Sequence, residues 1–289
     1  MGAKESIGVD IGGTNIRAAR ISREGDILAF TSQKVFRERE PLLKEIQTCI
    51  SEMITDRTEG IGIGVAGRIS VPEAKVLTAG YLDLRDVSLG KIINNRFNLP
   101  VVIDSDAYMA MFAESKIGSA KDKNNIVMFT IGTGVGGAVL LDGKLFYGKG
   151  AAGQLGHLTI DPAGNLCNCG RRGCVETFSS GTALGTYLMK EEFPAGTRAE
   201  DLLRLSEAGD ERANRVLDKW IHPLRMAIDS ACAAYDPEVV LLGGGLGKVA
   251  YSALKNYPEE SAWFQCEVRP AVLGDDAGVI GSGLRIFYR

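Results

Sequence analysis

The chain has 289 residues, of which 45% are hydrophobic and 24% charged, enough for one large or two ordinary globular domains with substantial cores. A formal net charge of -3, with Lys and Arg scattered along the chain, leaves no electrostatic footprint for nucleic acid. No apolar run approaches the ~20 residues that cross a bilayer and no charged-then-apolar leader precedes the first strand-like run, so the expectation is a cytoplasmic protein with neither nucleic acid nor membrane as a partner.

Apolar runs at Ile7–Asp10, Ile16–Ile21 and Ile27–Val35, broken by Gly12-Gly13 and by Arg23-Glu24-Gly25-Asp26, predict a three-stranded antiparallel meander. From Pro41 to about Asp56, Leu42, Leu43, Ile46, Ile50, Met53 and Ile54 recur at helical spacing, and Pro41 suits a first turn. A strand at Ile61–Val65 follows, then a loop-rich stretch to Gly90, a helix near Lys91–Phe97, a strand at Val101–Asp104 and a helix from about Asp106. The second half predicts strands at Ile126–Ile131, Ala138–Leu141 and Val239–Leu242, and helices near Gly181–Lys190, Glu211–Tyr235 and Ala277–Phe287. Both halves open with a strand, a glycine turn and another strand, Asp10-Ile11-Gly12-Gly13-Thr14-Asn15 and Thr130-Ile131-Gly132-Thr133-Gly134-Val135. A duplicated α/β lobe is the natural reading, with boundaries at 1–117 and 118–289, a C-terminal helix near 277–289 packing back on the first lobe, and ligand held between the copies.

Glycines in a hairpin let backbone amides approach a phosphate, and adjacent amides form an anion-binding concavity. Asp10, just before the first turn, suits magnesium held through water. Neither turn carries the Gly-Lys-Ser/Thr of a P-loop or the strand-to-helix context of a dinucleotide fingerprint. A tight hairpin with no ligand is the competing reading for either turn alone. Two such turns, with Gly243-Gly244-Gly245 after a strand, weigh against it.

Of the six cysteines, Cys167, Cys169 and Cys174 crowd together, with His157 ten residues upstream, whereas Cys49, Cys232 and Cys266 lie far apart. The crowded set predicts a closed, structural zinc site of three thiolates and one imidazole in the loop 157–176. The scattered three read as unpaired buried small hydrophobes. His222, without a partner motif, reads as an ordinary histidine.

The segments Asp10–Asn15, Gly64–Gly67, Asp106 with its helix to about Glu114, Ile131–Gly137, Gly153–His157, Cys167–Glu176 and Gly243–Gly245 together resemble the ROK family of sugar kinases and related repressors over essentially the whole chain. The resemblance implies the duplicated ribonuclease-H-like fold of hexokinases, actin and Hsp70 chaperones, with ATP, magnesium and a sugar in the cleft, and a homodimer. It implies that Asp106 is the base accepting the proton of the attacking hydroxyl, in a reaction driven mainly by positioning and charge stabilisation. Taken alone, Asp106 reads as a helix cap. The resemblance further implies that Asp10, Gly12, Gly13, Thr14, Asn15, Gly132, Thr133 and Gly134 form the phosphate side, Gly244 and Gly245 the adenosine side, and Gly67, Arg68, Ser105, Gln154, His157 and Glu176 the sugar side. His157 would also turn one ring nitrogen to zinc.

Three sugar-side positions depart from the family pattern: Ser105 and Gly80 stand where Asn is usual, and Gln154 stands where Glu is usual. These changes predict a pocket either roomier or tuned away from glucose, with glucose and N-acetylmannosamine as near-equal leading substrates, allose, fructose or N-acetylglucosamine behind them, and phosphorylation at the 6-hydroxyl. Two other functions fit the same resemblance. A sugar-sensing repressor would carry a helix-turn-helix domain ahead of the first turn, where only nine residues precede Asp10; a non-catalytic sugar-binding protein would have no need of Asp10, Asp106 and both turns.

Overall fold

The opening meander forms as its alternation dictates: β1 (Glu5–Ile11), β2 (Asn15–Ser22) and β3 (Ile27–Lys34) pair antiparallel. β1 is buried along nearly its whole length, as expected of a central strand covered on both faces. Helix α1 (Arg39–Met53) covers one face with Leu42, Ile46 and Ile50. β4 (Thr58–Val65) then joins parallel to β1, and β7 (Val101–Ser105) parallel to β4. The loop-rich stretch contains a small hairpin, β5 (Arg68–Ser70) with β6 (Lys75–Thr78), and helix α2 (Leu89–Phe97) returns to β7.

The structure, a computed structural model, describes residues 3–80, 82–258, 263 and 265–288. Its chain divides into two units, the first running to Asp122 with Tyr147–Ala151 and the residues from Asp275, the second comprising Lys123–Phe146 and Ala152–Gly274. The first unit's sheet has the order β3-β2-β1-β4-β7. After helix α3 (Asp106–Ile117), strands β8 (Ile126–Ile131), β9 (Val135–Leu141) and β10 (Lys144–Leu145) form the second unit's meander, and β11 (Val239–Gly243) and β12 (Glu267–Pro270) add parallel to it. The order β10-β9-β8-β11-β12 repeats that of the first sheet strand for strand. This is the duplicated ribonuclease-H-like α/β fold.

In the second unit, the 25-residue helix α7 (Glu211–Tyr235) buries Trp220, Leu224 and Ile228 in the core. Helices α4 (Glu176–Ser179), α5 (Gly181–Lys190), α6 (Ala199–Glu207) and α8 (Gly247–Leu254) complete that layer. In the first unit, α9 (Ala277–Phe287) lies directly on β1, β4 and α3. Side chains added at Gly8 or Gly62 would collide with the carbonyls of Val279 or Ser282, and one at Gly281 with that of Met109. Backbone therefore meets backbone at both faces of α9.

One sequence expectation is corrected. Cys232 and Cys266, 34 positions apart in sequence, form a disulfide with Cα atoms 6.5 Å apart. The start of β12 returns beside α7, a proximity that linear spacing does not encode. Cys49 remains a buried free thiol. His222 stacks on Tyr257 at 6.3 Å between ring centroids.

Candidate active site and metal centre

Three parallel strands end together in the first unit. Their register sets Asp10 opposite Gly64 and Gly64 opposite Asp104, and Ser105 and Asp106 follow at once. The missing side chain at Gly64 matters, because a Cβ there would lie 3.5 Å from Asp106 Cα and 3.2 Å from Ser282 Oγ. The start of α3 is thereby admitted to the strand ends, the usual place for ligands on open α/β sheets.

Ser105 is the N-cap of α3, its Oγ accepting from the Tyr108 amide at 3.4 Å. Asp106 is the first residue within the helix, with Oδ1 accepting from the Ala107 amide at 2.8 Å. The residue as a whole is half-buried, and burial pushes its pKa above the usual carboxylate range. Asp10 is pushed up to about 7, first by burial and then by the charge of Asp106, with Arg17 opposing. Arg17 itself donates to the Asp275 carbonyl at 2.6 Å.

Asp104, which sequence reasoning treated only as a strand end, is buried and accepts hydrogen bonds from the Tyr147 hydroxyl and, at 2.8 Å, from the Ser105 amide. Burial pushes it up to about 6, while the Tyr147 hydroxyl, the Ser105 amide and Arg285 pull the other way. Arg285 also donates to the Tyr147 hydroxyl at 3.5 Å. Forty-three residues separate Asp104 from Tyr147, and no motif spans them.

The first glycine turn closes with the Gly12 amide donating to the Asn15 carbonyl at 3.1 Å, and Thr14 accepts from Val35 at 3.0 Å. A Cβ at Gly13 would meet nothing within 4 Å, so no neighbouring atom of the protein requires glycine there. Gly67 is different, since a side chain there would collide with the Thr78 carbonyl. Arg68 is exposed at the start of β5. Gly80 has φ +50° with open space around its missing Cβ, a conformation Asn also tolerates.

In the second unit, the turn Gly132–Gly134 closes with the Gly132 amide donating to the Gly134 carbonyl at 3.0 Å. Gly244, at φ +77°, presses on Ile131 so closely that a Cβ would lie 2.5 Å from its carbonyl oxygen. The Leu246 amide donates to that same oxygen at 3.0 Å. The predicted phosphate turn and the Gly244-Gly245 segment are thus brought together at the ends of β8 and β11. The N-terminus of α5 joins them, with the Gly181 amide donating to Gly132 at 2.8 Å and the Thr182 hydroxyl to Thr133 at 2.8 Å.

Gln154 precedes a single 3-10 turn, Leu155–His157, that carries His157 to the cysteines. A short antiparallel bridge, Thr159 with Cys174, sets the two ligand-bearing segments side by side. The tight turn after Cys167 adds Cys169. The ligand atoms of His157, Cys167, Cys169 and Cys174 all lie within 4.8 Å of one another, with His157 Nδ1 3.5 Å from Cys167 Sγ and Cys169 Sγ 3.5 Å from Cys174 Sγ. A tetrahedral zinc with bonds of ~2.3 Å sets its sulfurs about 3.8 Å apart, so the four residues fit that ion. Burial pushes the Cys174 thiol up to about 12, and a bound cation is what would hold it as thiolate. Glu176 Oε2 accepts from the Val135 amide at 3.0 Å, and Oε1 lies 3.9 Å from Cys167 Sγ.

Residues 6–284 match the ROK family. The chain belongs to that family. It is 31% identical over 309 residues to the glucokinase of Halalkalibacterium halodurans, covering 96% of this chain and 93% of that protein. It is 32% identical to the N-acetylmannosamine kinase of Yersinia pseudotuberculosis, covering 97% of each. Among solved structures, a ROK hexokinase from Thermus thermophilus superposes with a TM-score of 0.83 at 27% identity over 98% of both chains. A ROK glucokinase from Streptomyces griseus, solved with glucose and AMPPNP, gives 0.83 at 27% identity over 96% of this chain and 97% of that one. No helix among the described residues of this ROK protein is long and apolar enough to cross a membrane.

Proposed function

We propose that this ROK protein is an ATP-dependent sugar kinase that phosphorylates a hydroxyl, the 6-hydroxyl in our reading, of a hexose or N-acylhexosamine. The observation that carries the reading is the division of labour at the start of α3, where Ser105 caps the helix and leaves Asp106, half-buried as a residue, at the strand ends without the capping role. Two groups of relatives, named glucokinase and N-acetylmannosamine kinase, support glucose and N-acetylmannosamine as the leading substrates.

In this reading Asp106 takes the proton of the sugar hydroxyl as its oxygen attacks the terminal phosphorus of ATP and the bond to the ADP oxygen breaks in line. A carboxylate whose pKa is raised by burial is a better base than one at the ordinary value. Gly12 to Asn15 and Gly132 to Gly134 offer backbone amides to the phosphates, and Gly244 and Gly245 border the adenosine. Asp10 would hold magnesium, whose charge would offset the burial and the Asp106 charge that push its carboxyl up. Gln154, Ser105, Gly67, Arg68, Glu176 and the second nitrogen of His157 serve the sugar, while zinc on His157 Nδ1 and the three sulfurs would fix the loop that presents them. The same reading makes the protein a cytoplasmic homodimer acting on a small-molecule sugar.

ADP release by the purified protein with magnesium and ATP, across a panel of hexoses and N-acylhexosamines, tests the proposal. Turnover well above the sugar-free rate on one of them is the expected result. No turnover on any, with the sugars nonetheless bound, would favour a binding protein in which Ser105, Gly80 and Gln154 have abolished chemistry.

A further inference from the structure

The chain that leaves the metal cluster leads straight to the glycine turn after β8. Two residues beyond Cys174, the Glu176 carboxylate accepts from the Val135 amide at 3.0 Å. A Cβ at Gly134 would collide with that carboxylate, so a larger residue there would have to push Glu176 aside. Five residues further on, the Gly181 amide donates to the Gly132 carbonyl at 2.8 Å, and the Thr182 amide and hydroxyl donate to the Thr133 carbonyl at 3.3 and 2.8 Å. The other ligand-bearing segment packs on the same place, since a side chain at Gly156, next to His157, would collide with the Val135 carbonyl. Residues 132–135 are therefore clasped by both segments that bring His157 and Cys174 to the metal cluster.

We propose that Glu176 is a strut that transmits metal occupancy to the β8–β9 turn, so that loading the His157-Cys167-Cys169-Cys174 cluster organises the phosphate side of the site as well as the sugar side. The proposal rests on the kinase reading only where it assigns that turn to the phosphoryl donor. The ordering itself is a property of this chain. Among the described residues, the sulfur contacts that tie the Cys167–Cys169 loop to the segment carrying Glu176 are Cys169 Sγ to Cys174 Sγ at 3.5 Å and Cys167 Sγ to Glu176 Oε1 at 3.9 Å, beside the backbone bond from Val175 to Leu158 at 2.9 Å. An ion on all four ligands adds to these ties, so its loss holds the base of the strut less firmly and weakens the charge-assisted acceptor of the Val135 amide.

Amide hydrogen exchange on the full chain tests the strut, comparing protein loaded with zinc against protein stripped by a chelator and dialysed. Exchange at Val135 should rise on the order of tenfold on stripping, with Ile126–Ile131 in β8 unchanged as the control for global unfolding. Glu176→Ala should show the same fast exchange in the loaded state. Glu176→Gln, which keeps an oxygen acceptor, should stay close to wild type. The functional arm measures Mg-ADP binding: stripping should weaken it on the order of tenfold in wild type and add little in Glu176→Ala, the non-additivity expected of groups acting as one unit. Unchanged exchange at Val135 after stripping, or a stripping effect of equal size in Glu176→Ala, would overturn the strut. A zinc-dependent Val135 amide in a protein that binds no Mg-ADP when loaded would uphold the strut and remove the donor assignment of the turn.

Discussion

Ser105 takes the cap of α3 from Asp106: its Oγ accepts from the Tyr108 amide, which leaves the neighbouring Asp106, half-buried as a residue, inside the first helical turn. A residue that reads in isolation as a capping aspartate is thereby available for other work. Ser105→Ala should cost about 1 kcal/mol of stability, measured by urea unfolding. Ser105→Asn should cost almost nothing, because Asn caps equally well, while restoring the residue usual in the family. If sugar preference then shifts at unchanged stability, Ser105 tunes the pocket; an identical sugar profile would confine it to capping.

The buried Asp104 gives a pH signature. Its pKa is raised to about 6 in the folded chain from an ordinary value near 3.8, so the folded state binds the proton more tightly than the unfolded one. Stability from this group is therefore greatest below the ordinary value and falls as pH rises from about 4 to about 6, by at most ~1.4 kcal/mol per pH unit. Thermal unfolding of Asp104→Asn across that range should show a flatter dependence than wild type. Parallel curves would mean that Asp104 does not titrate as its burial demands.

Metal removal should be visible without any assay of activity. Purified protein is expected to carry a single zinc per chain, and Cys169→Ser, at the exposed ligand, should lose it while the buried core survives. Elemental analysis with circular dichroism reads both. A folded, active wild type with no zinc would rule out the metal centre.

The close approach of α9 to the first sheet predicts an unusual cost for a small change. Gly62→Ala would drive a methyl into the Ser282 carbonyl, where the contact is backbone and cannot rotate away. A loss of about 3 kcal/mol, at the high end for overpacking, is expected from denaturant unfolding. An exposed glycine such as Gly209, with nothing within 4 Å of its missing Cβ, is the comparison, although its φ of +85° will itself cost about 1 kcal/mol or more.

Which parts of the molecule the sequence discloses follows from the range of the forces involved. The meander is legible because alternation and Gly-Gly or Glu-Gly turns are local, and α1 and α7 because their apolar stripes run for several turns. The metal cluster is legible because three of its ligands sit within one loop. Helix α6 hides because only two turns of Leu202, Leu203 and Leu205 announce it, and the β5–β6 hairpin hides in a stretch rich in turn residues. The Cys232–Cys266 bond, the Asp104–Tyr147 pair and the contact of α9 with Gly8 and Gly62 all join residues brought together only by the completed fold. At the site, Gly134 is legible as a turn residue, but the Glu176 carboxylate lying against it is not.

The role of Asp106 is the centre of the account, and Asp106→Asn is the most direct measurement of it: ADP formation with ATP, magnesium and the best sugar, alongside sugar binding by calorimetry. Asn preserves size and the hydrogen bond from Ala107 but cannot accept the hydroxyl proton. Turnover should fall by about 10²–10⁴-fold with sugar affinity within a few-fold of wild type. Turnover at the wild-type rate in a protein that still binds sugar would contradict Asp106 as the base.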